Sequence, residues 1–149
     1  MSSLPAFTSE TPSLPARSWT RFLPIAARLL LGLPLLVFGL NGFFSFIPQP
    51  EMELPAKALH FLTALEESGY LLPLISGTLL TVGLLLVANR FVPLALVLFA
   101  PFLVNSLAFH FALEPSGRGP ALVYLVLELY LAWVYRAAYR PLLRARFQP

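Results

Sequence analysis

Apolar side chains dominate four separate stretches of this chain. The stretches cover residues 22–47, 71–88, 91–111 and 121–138, and few charged side chains interrupt them. A helix of about 20 mostly apolar residues crosses the hydrocarbon core of a bilayer, which is about 30 Å thick. The pattern therefore predicts four transmembrane helices, with lipid rather than water as the solvent for most of the surface.

A shorter segment with a different pattern follows the first apolar stretch. Within residues 56–67, Leu59, Leu62 and Leu65 recur at three-residue spacing, and polar or charged residues fill most of the positions around them. Such a segment is typical of an amphipathic helix. We expect it to lie in the outer membrane interface.

The links between the later stretches are short, which favours antiparallel neighbouring helices. The predicted fold class is an all-α membrane protein, an up-down bundle of four transmembrane helices with one short amphipathic helix at the outer interface. Residues 21–144 form the membrane domain. Residues 1–20, rich in Ser, Pro and Thr, are predicted to be a disordered cytoplasmic tail, and residues 145–149 a basic tail.

Composition agrees with this assignment and narrows the chemistry. Hydrophobic residues make up 58% of the chain and charged residues 11%, and the mean hydropathy is +0.77. The chain has no cysteine, which excludes disulfides, thiol catalysis and thiolate metal sites.

The positions of the basic residues predict orientation. Lys57 and Arg118 fall on one side of the four predicted spans, and the other eight basic residues fall on the side of the chain ends. Cytoplasmic loops carry the excess of Lys and Arg, so both termini are predicted to be cytoplasmic. This distribution explains the pI of 9.7 without nucleic-acid binding. The eight residues are Arg17, Arg21, Arg28, Arg90, Arg136, Arg140, Arg144 and Arg146.

Small residues recur at helical spacing in the first two stretches. Gly32 and Gly39 share one face of the first, and Gly77 and Thr81 share one face of the second. Small residues on one face allow transmembrane helices to approach closely. We therefore expect both pairs to be helix contacts.

Arg28 and Glu128 are charged residues that lie inside predicted spans and away from the last turn, where ionisable groups are costly and face the bundle interior. Arg28 lies about 9 Å from the inner boundary, at 1.5 Å per residue. Its side chain either extends back to cytoplasmic water or forms an ion pair with Glu128. Glu128, near the middle of the fourth stretch, makes a structural hydrogen bond or ion pair between helices, or it belongs to a ligand or proton site.

Other polar residues lie in the outer halves of the spans. They form a hypothetical binding pocket open to the outside, with Glu128 at its floor. Asn105 and His110 are five residues apart, about 140° around a helix, so the pocket must be wide or the helix kinked. The remaining members are Asn41 and Tyr124.

Motifs for known cofactors and catalytic centres are missing from the sequence. It has no phosphate-binding loop, dinucleotide-binding glycine motif or nucleophile elbow. The two histidines, His60 and His110, have no spacing that would place both on one haem iron. We expect no metal, no haem and no catalytic residue, so the chain is not predicted to be an enzyme on its own.

Several stretches resemble the DoxX-like family of membrane proteins. They are ARLLLGL from residue 27, FGLNGFFSFIP from residue 38, NRFVPLAL from residue 89, PFLVN from residue 101, FHF from residue 109 and YRAAYR from residue 135. The resemblance covers roughly residues 22–144. Its polar landmarks are Arg28, Asn41, Pro101, Asn105 and His110.

The resemblance implies a four-helix bundle in the bacterial inner membrane. The family takes its name from the membrane subunit of an archaeal thiosulfate:quinone oxidoreductase, which implies quinone or redox partners. Relatives often carry an acidic residue in the second span ahead of a Gly-Leu-Leu-Leu run. The second stretch of this chain has only apolar and hydroxyl residues before Gly83, so chemistry that needs that acid is not expected here.

Three functions follow as hypotheses. The first is an accessory or scaffold subunit that associates with other membrane proteins or with itself. The second is a quinone- or lipid-binding subunit in which His110 or Glu128 accepts protons beside aromatic rings. The third is a small-molecule transporter, which would need a homo-oligomer because no inverted repeat is visible.

Overall fold

The computed structural model describes residues 22–48 and 53–141, and every regular element among them is helical. Both predicted tails lie outside the described residues. The elements in chain order are α1 (Leu23–Phe44), α2 (Ala56–Glu67), α3 (Leu71–Val87), α4 (Val92–Ala112), a 3₁₀ turn (Pro115–Gly117), α5 (Arg118–Val134) and α6 (Arg136–Tyr139).

Two of these helices, α1 and α4, are long and apolar enough to cross a membrane. The bent pair of α2 and α3 would make a third span if it were counted as one. The sequence predicted four spans. The difference arises because α3 and α5 have 17 residues each, a length of about 26 Å at 1.5 Å per residue, which is shorter than a hydrocarbon core of about 30 Å.

The amphipathic segment turns sharply away from the helix that follows it. The axes of α2 and α3 differ by 89°, and the corner falls at Ser68 and Gly69. The Ser68 hydroxyl donates to the Leu65 carbonyl at 2.6 Å and accepts from the Leu71 amide at 3.1 Å. Gly69 has a φ of +72°, which other residues adopt at a steric cost. The bounds of α2 thus match the amphipathic segment predicted at residues 56–67, and α2 lies across the end of α3.

The four longer helices pack in a ring, α1 on α3, α3 on α4, α4 on α5 and α5 on α1, with the most extensive contact between α1 and α3. All four contribute side chains to one apolar core. Its fully buried members are Leu31, Leu35, Val82, Leu86, Ala95, Leu96, Phe99 and Leu131.

Glycines allow α1 and α3 to touch through their backbones. A Cβ atom added at Gly39 would lie 2.7 Å from the Leu80 Cα, and one at Gly83 would lie 2.7 Å from the Leu36 Cα. The predicted contact through Gly39 is thus confirmed. The predicted pair at Gly77 differs, because a Cβ there would meet only the edge of one ring at 3.9 Å. The ring belongs to Phe43 of α1, so α1 and α3 meet here through a side chain rather than through their backbones.

Candidate functional site

Glu128 is a buried carboxyl group in the middle of α5. Its side chain is only 7% exposed, and among the described residues its Oε2 atom has no hydrogen-bond partner. The residues around Glu128 in α5 are mostly apolar. On this helix, Glu128 lies on the side that packs against α4. A carboxyl oxygen without a partner costs free energy, most of all where no water reaches it.

Glu128 opens onto a groove between α4 and α5 of about 350 Å³. Small and aliphatic side chains form its walls, so Glu128 and Tyr139 supply its polar groups. A volume in the range of small-molecule sites, apolar walls and few polar groups are the usual features of such a site. The lining residues are Leu96, Val97, Ala100, Leu103, Val104, Leu125, Glu128, Leu129, Ala132 and Tyr139.

Tyr139 ties the end of the chain's last described helix to the start of α4. Its hydroxyl donates a hydrogen bond to the Pro93 carbonyl at 3.1 Å. The chain changes direction just before it, at Tyr135, where α5 ends and α6 begins. This hydrogen bond holds α6 against the N-terminal end of α4, on one side of the groove.

Of the two alternatives predicted for Arg28, the ion pair with Glu128 is not formed among the described residues. Arg28 is 9% exposed, and its Nη1 atom donates a hydrogen bond to the side-chain oxygen of Asn89 in the α3–α4 turn. Among the described residues its Nε atom has no partner, and no ion pair joins it to Glu128. Asn89 has a φ of +55°, a conformation that asparagine tolerates better than most residues.

Asn41 belongs to a separate cavity. Its side-chain oxygen accepts a hydrogen bond from the Ile47 amide at 2.7 Å, which fixes the chain as it leaves α1. The cavity beside it has a volume of about 590 Å³ and lies between the end of α1 and the segments α2 and α3. Its lining residues are Asn41, Gly42, Ser45, Ile47, Pro48, Leu62, Glu66 and Leu72.

His110 lies in a hydrogen-bonded turn that connects α4 to α5. Its Nδ1 atom is 3.0 Å from the Glu114 carboxylate and 3.1 Å from the Glu114 carbonyl oxygen. The Arg118 side chain donates to the carbonyls of His110 and Phe111 at 3.2 and 3.0 Å, which satisfies two of the free carbonyls at the end of α4. A side chain at Gly117 would overlap the imidazole ring.

Glu114 is the centre of this turn. Its carboxylate accepts hydrogen bonds from the Ser116 hydroxyl and from the amides of Ser116 and Gly117, the latter two at 2.9 and 3.0 Å. The Ser116 hydroxyl is the largest of the influences that lower the pKa of Glu114 to about 2. The carboxylate therefore stays ionised and acts as a cap for the 3₁₀ turn.

The last two predicted site residues lie apart from the groove lining. Tyr124 packs edge-on against Phe99, with ring centroids 6.5 Å apart. Asn105 lies on the exposed face of α4. The structure thus places Glu128 in one cavity and Asn41 in another, with His110 in a turn, and it does not gather the five predicted residues into one pocket.

Sequence reasoning missed three residues that position the site. Asn89 had a usable signal, because an asparagine in a short turn often takes a left-handed conformation. Glu114 stands four residues after His110 and two before Ser116, a spacing that suits a local cap. Tyr139 shares the helical stripe of Glu128, but nothing in the sequence pairs it with the carbonyl of Pro93.

The donor set of the described residues is poor in metal ligands. No group of three or more His, Asp or Glu side chains that could hold a metal ion occurs in residues 22–48 and 53–141. The groove instead offers one carboxyl group and one phenol among aliphatic walls. That combination suits an uncharged, lipid-soluble molecule with a polar group able to hydrogen-bond.

Comparison of the chain with protein-family models, with curated proteins and with solved structures finds no significant match.

Proposed function

We propose that this chain is a four-span protein of the DoxX-like type in a bacterial inner membrane, with both termini in the cytoplasm. It works as an accessory subunit of a membrane complex and holds a lipid-soluble molecule of the quinone or lipid class in the α4–α5 groove. The observation that carries the binding role is the buried Oε2 atom of Glu128, which lacks a partner among the described residues and lies at an apolar groove.

Three physical arguments support this role. Hydrocarbon provides no hydrogen-bonding partner, so a carboxyl group inside a bilayer needs one from protein or ligand. The groove walls are apolar, which retains a molecule that is dissolved in the bilayer. The exposed side chains of Val97, Val104 and Leu129 belong to its lining, so the groove opens to the side and such a molecule enters from the lipid.

The binding role is tested by extracting the lipid-soluble molecules that remain with the protein in polymer-bounded native membrane discs. Glu128→Leu removes the polar group, and Ala100→Phe fills the groove while keeping the carboxyl group. We expect both variants to lose a molecule that the unchanged protein carries, as measured by mass spectrometry of the extract. Ala138→Phe, on an exposed residue outside the groove lining, is the matched control. Identical extracts from all four proteins would contradict the proposal.

The four-span topology is tested by single-cysteine labelling, which is straightforward because the chain has no cysteine. With four spans and cytoplasmic termini, a membrane-impermeant maleimide added outside labels Ser116→Cys and leaves Arg90→Cys unlabelled. If only α1 and α4 cross, the two results are exchanged. If α5 alone fails to cross, a reporter fused to the chain end becomes accessible from outside.

A further inference from the structure

The lipid-facing side of α4 carries a regular seam of exposed residues along its whole length. Its members are spaced by four, three, four, three and four residues, which is the spacing of a heptad seam. All six are exposed. The seam consists of Leu94, Leu98, Pro101, Asn105, Ala108 and Ala112.

Asn105 is the polar member of this seam. It lies seven residues from the end of α4, about 10 Å along the helix at 1.5 Å per residue. The asparagine side chain is too short to reach the interface from that depth, and lipid tails offer its amide no hydrogen bond. An exposed amide at this place points to a protein partner that covers it.

A second copy of the chain supplies the matching group at the matching depth. Two copies inserted with the same orientation present parallel α4 helices, and a two-fold axis along the membrane normal then places each seam residue opposite its own equivalent. An amide both donates and accepts hydrogen bonds, so two asparagines satisfy each other. A different partner would need its own polar residue at this depth, whereas a copy has one by symmetry.

The neighbours of Asn105 favour close approach of the two helices. Ala108 and Ala112 follow it along the seam towards the end of α4, and small residues bring membrane helices close enough for hydrogen bonds to form across the interface. A single asparagine in an apolar heptad seam also fixes register and the number of strands. None of the six seam residues belongs to the lining of the α4–α5 groove, although Val97, Ala100 and Val104 beside the seam do.

We propose that the chain forms a parallel homodimer through the exposed seam of α4, in which Asn105 hydrogen-bonds to Asn105 of the partner subunit. This contact does not depend on what the groove holds. It requires only that α4 spans the membrane, and α4 is one of the two helices long and apolar enough to do so.

The first test is oxidative crosslinking of single-cysteine variants in membranes. Leu98→Cys and Ala108→Cys lie on the seam and should form disulfide-linked dimers. Leu30→Cys on α1 and Leu84→Cys on α3 are apolar positions away from the seam that are more exposed than Leu98, and they should stay monomeric. Crosslinking of the α1 and α3 controls as strong as that of the seam variants, or no crosslinking at the seam, would overturn the proposal.

The second test measures association directly, by energy transfer between labelled copies diluted in lipid vesicles. Asn105→Leu should weaken the dimer at least tenfold, whereas Asn105→Gln keeps donor and acceptor and should retain most of the association. Val126→Leu, at an exposed position of α5 outside both the seam and the groove lining, is the control for added bulk. An unchanged midpoint of thermal unfolding verifies that the variants are folded. Equal association of Asn105→Leu and the unchanged protein, or no energy transfer for any of them, would overturn the proposal.

Discussion

The α1–α3 pair and the α4–α5 pair are built from similar apolar residues, but they pack in opposite ways. In the first pair the backbones meet at Gly39 and Gly83, and no space remains between the helices at these two positions. In the second pair a groove of about 350 Å³ separates part of the two surfaces, and Glu128 faces it. The α1–α3 pair is therefore a closed contact, whereas the α4–α5 pair leaves the Glu128 side chain beside an open groove.

The difference shows what each half contributes. Close backbone approach gains dispersion contacts along the whole helix, and in a membrane these contacts and hydrogen bonds replace the hydrophobic effect as the source of stability. A groove with an unpartnered carboxyl oxygen gives up part of that gain. The α1–α3 pair therefore holds the bundle together, and the α4–α5 pair keeps the space in which binding occurs.

The largest loss of stability is expected when a substitution forces the α1–α3 contact apart. Gly83→Ala places a Cβ atom against the Leu36 and Gly32 backbones, which cannot rotate away, so α1 and α3 must separate. We expect a loss of about 3 kcal/mol in unfolding free energy, measured by denaturation in detergent. Gly77→Ala on the same helix has free space and should be neutral or slightly stabilising, because alanine favours a helix. Equal losses for the two variants would mean that the α1–α3 contact is not close.

A smaller loss is expected at the end of the α1–α3 pair next to the α3–α4 turn, where Asn89 accepts a hydrogen bond from the Arg28 guanidinium. Asn89→Gly keeps the left-handed backbone conformation but removes the acceptor, so the buried charge loses a hydrogen bond. We expect a loss of about 2 kcal/mol. Asn89→Asp restores an acceptor in the same conformation and should recover most of the stability. Arg90→Ala, at the exposed next position, is the control. A stable Asn89→Gly protein would show that Arg28 finds another partner.

A substitution in the α4–α5 pair is predicted to change the unfolding free energy in the opposite direction, as a gain. Glu128→Leu removes the unpartnered oxygen and fills part of the groove, so protein stripped of lipid-soluble molecules should gain about 1 kcal/mol in unfolding free energy. Glu128→Gln keeps an unpartnered polar group and should gain nothing. The denaturation experiment used for Gly83 measures both. If Glu128→Leu instead destabilises the stripped protein, Glu128 has a structural partner in the bundle, and the contrast between the two helix pairs weakens.

Much of the fold follows from the sequence, because lipid-facing and core-facing residues are both apolar and four long apolar runs leave few alternatives to helices. The amphipathic α2 and its end at Ser68 were also predictable from local pattern. The division of the last predicted span into α5 and α6 at Tyr135 could not be predicted from the local pattern, because neither Gly nor Pro marks the break. The predicted stretch 71–88 exceeds α3 by one residue, whereas the predicted stretch 121–138 begins three residues after the start of α5 and ends four residues after its end.

The site was harder to predict than the fold. Glu128 was recognisable from its position alone, because an acid in a long apolar run must be buried or paired. The side of α4 on which Asn105 lies could not be predicted, because a helix that is apolar all around has no polar face that would indicate its orientation in the bundle. The hydrogen bond between Arg28 and Asn89 joins residues 61 positions apart, and no local spacing reveals such a pair.

The smallest predicted effect concerns the turn that joins the two walls of the groove at the His110 end. The pKa of Glu114 is lowered to about 2 from its ordinary 4.5, chiefly by the Ser116 hydroxyl. A lowered pKa in the folded state means that the ionised cap stabilises the fold above about pH 4.5, and that this contribution is lost as the pH falls towards 2.

Ser116→Ala removes the largest of these influences and should raise the pKa of Glu114 towards 4.5, measured by carboxyl-carbon NMR on the protein in detergent. The loss of the cap, followed by the amide signal of Gly117, should then begin at a higher pH. Thr63→Ala, an exposed hydroxyl on α2, controls for general effects of the substitution. If Ser116→Ala left the titration of Glu114 unchanged, the turn would not depend on this hydroxyl. Glu114 would then be held by His110 and by the backbone amides of Ser116 and Gly117 instead.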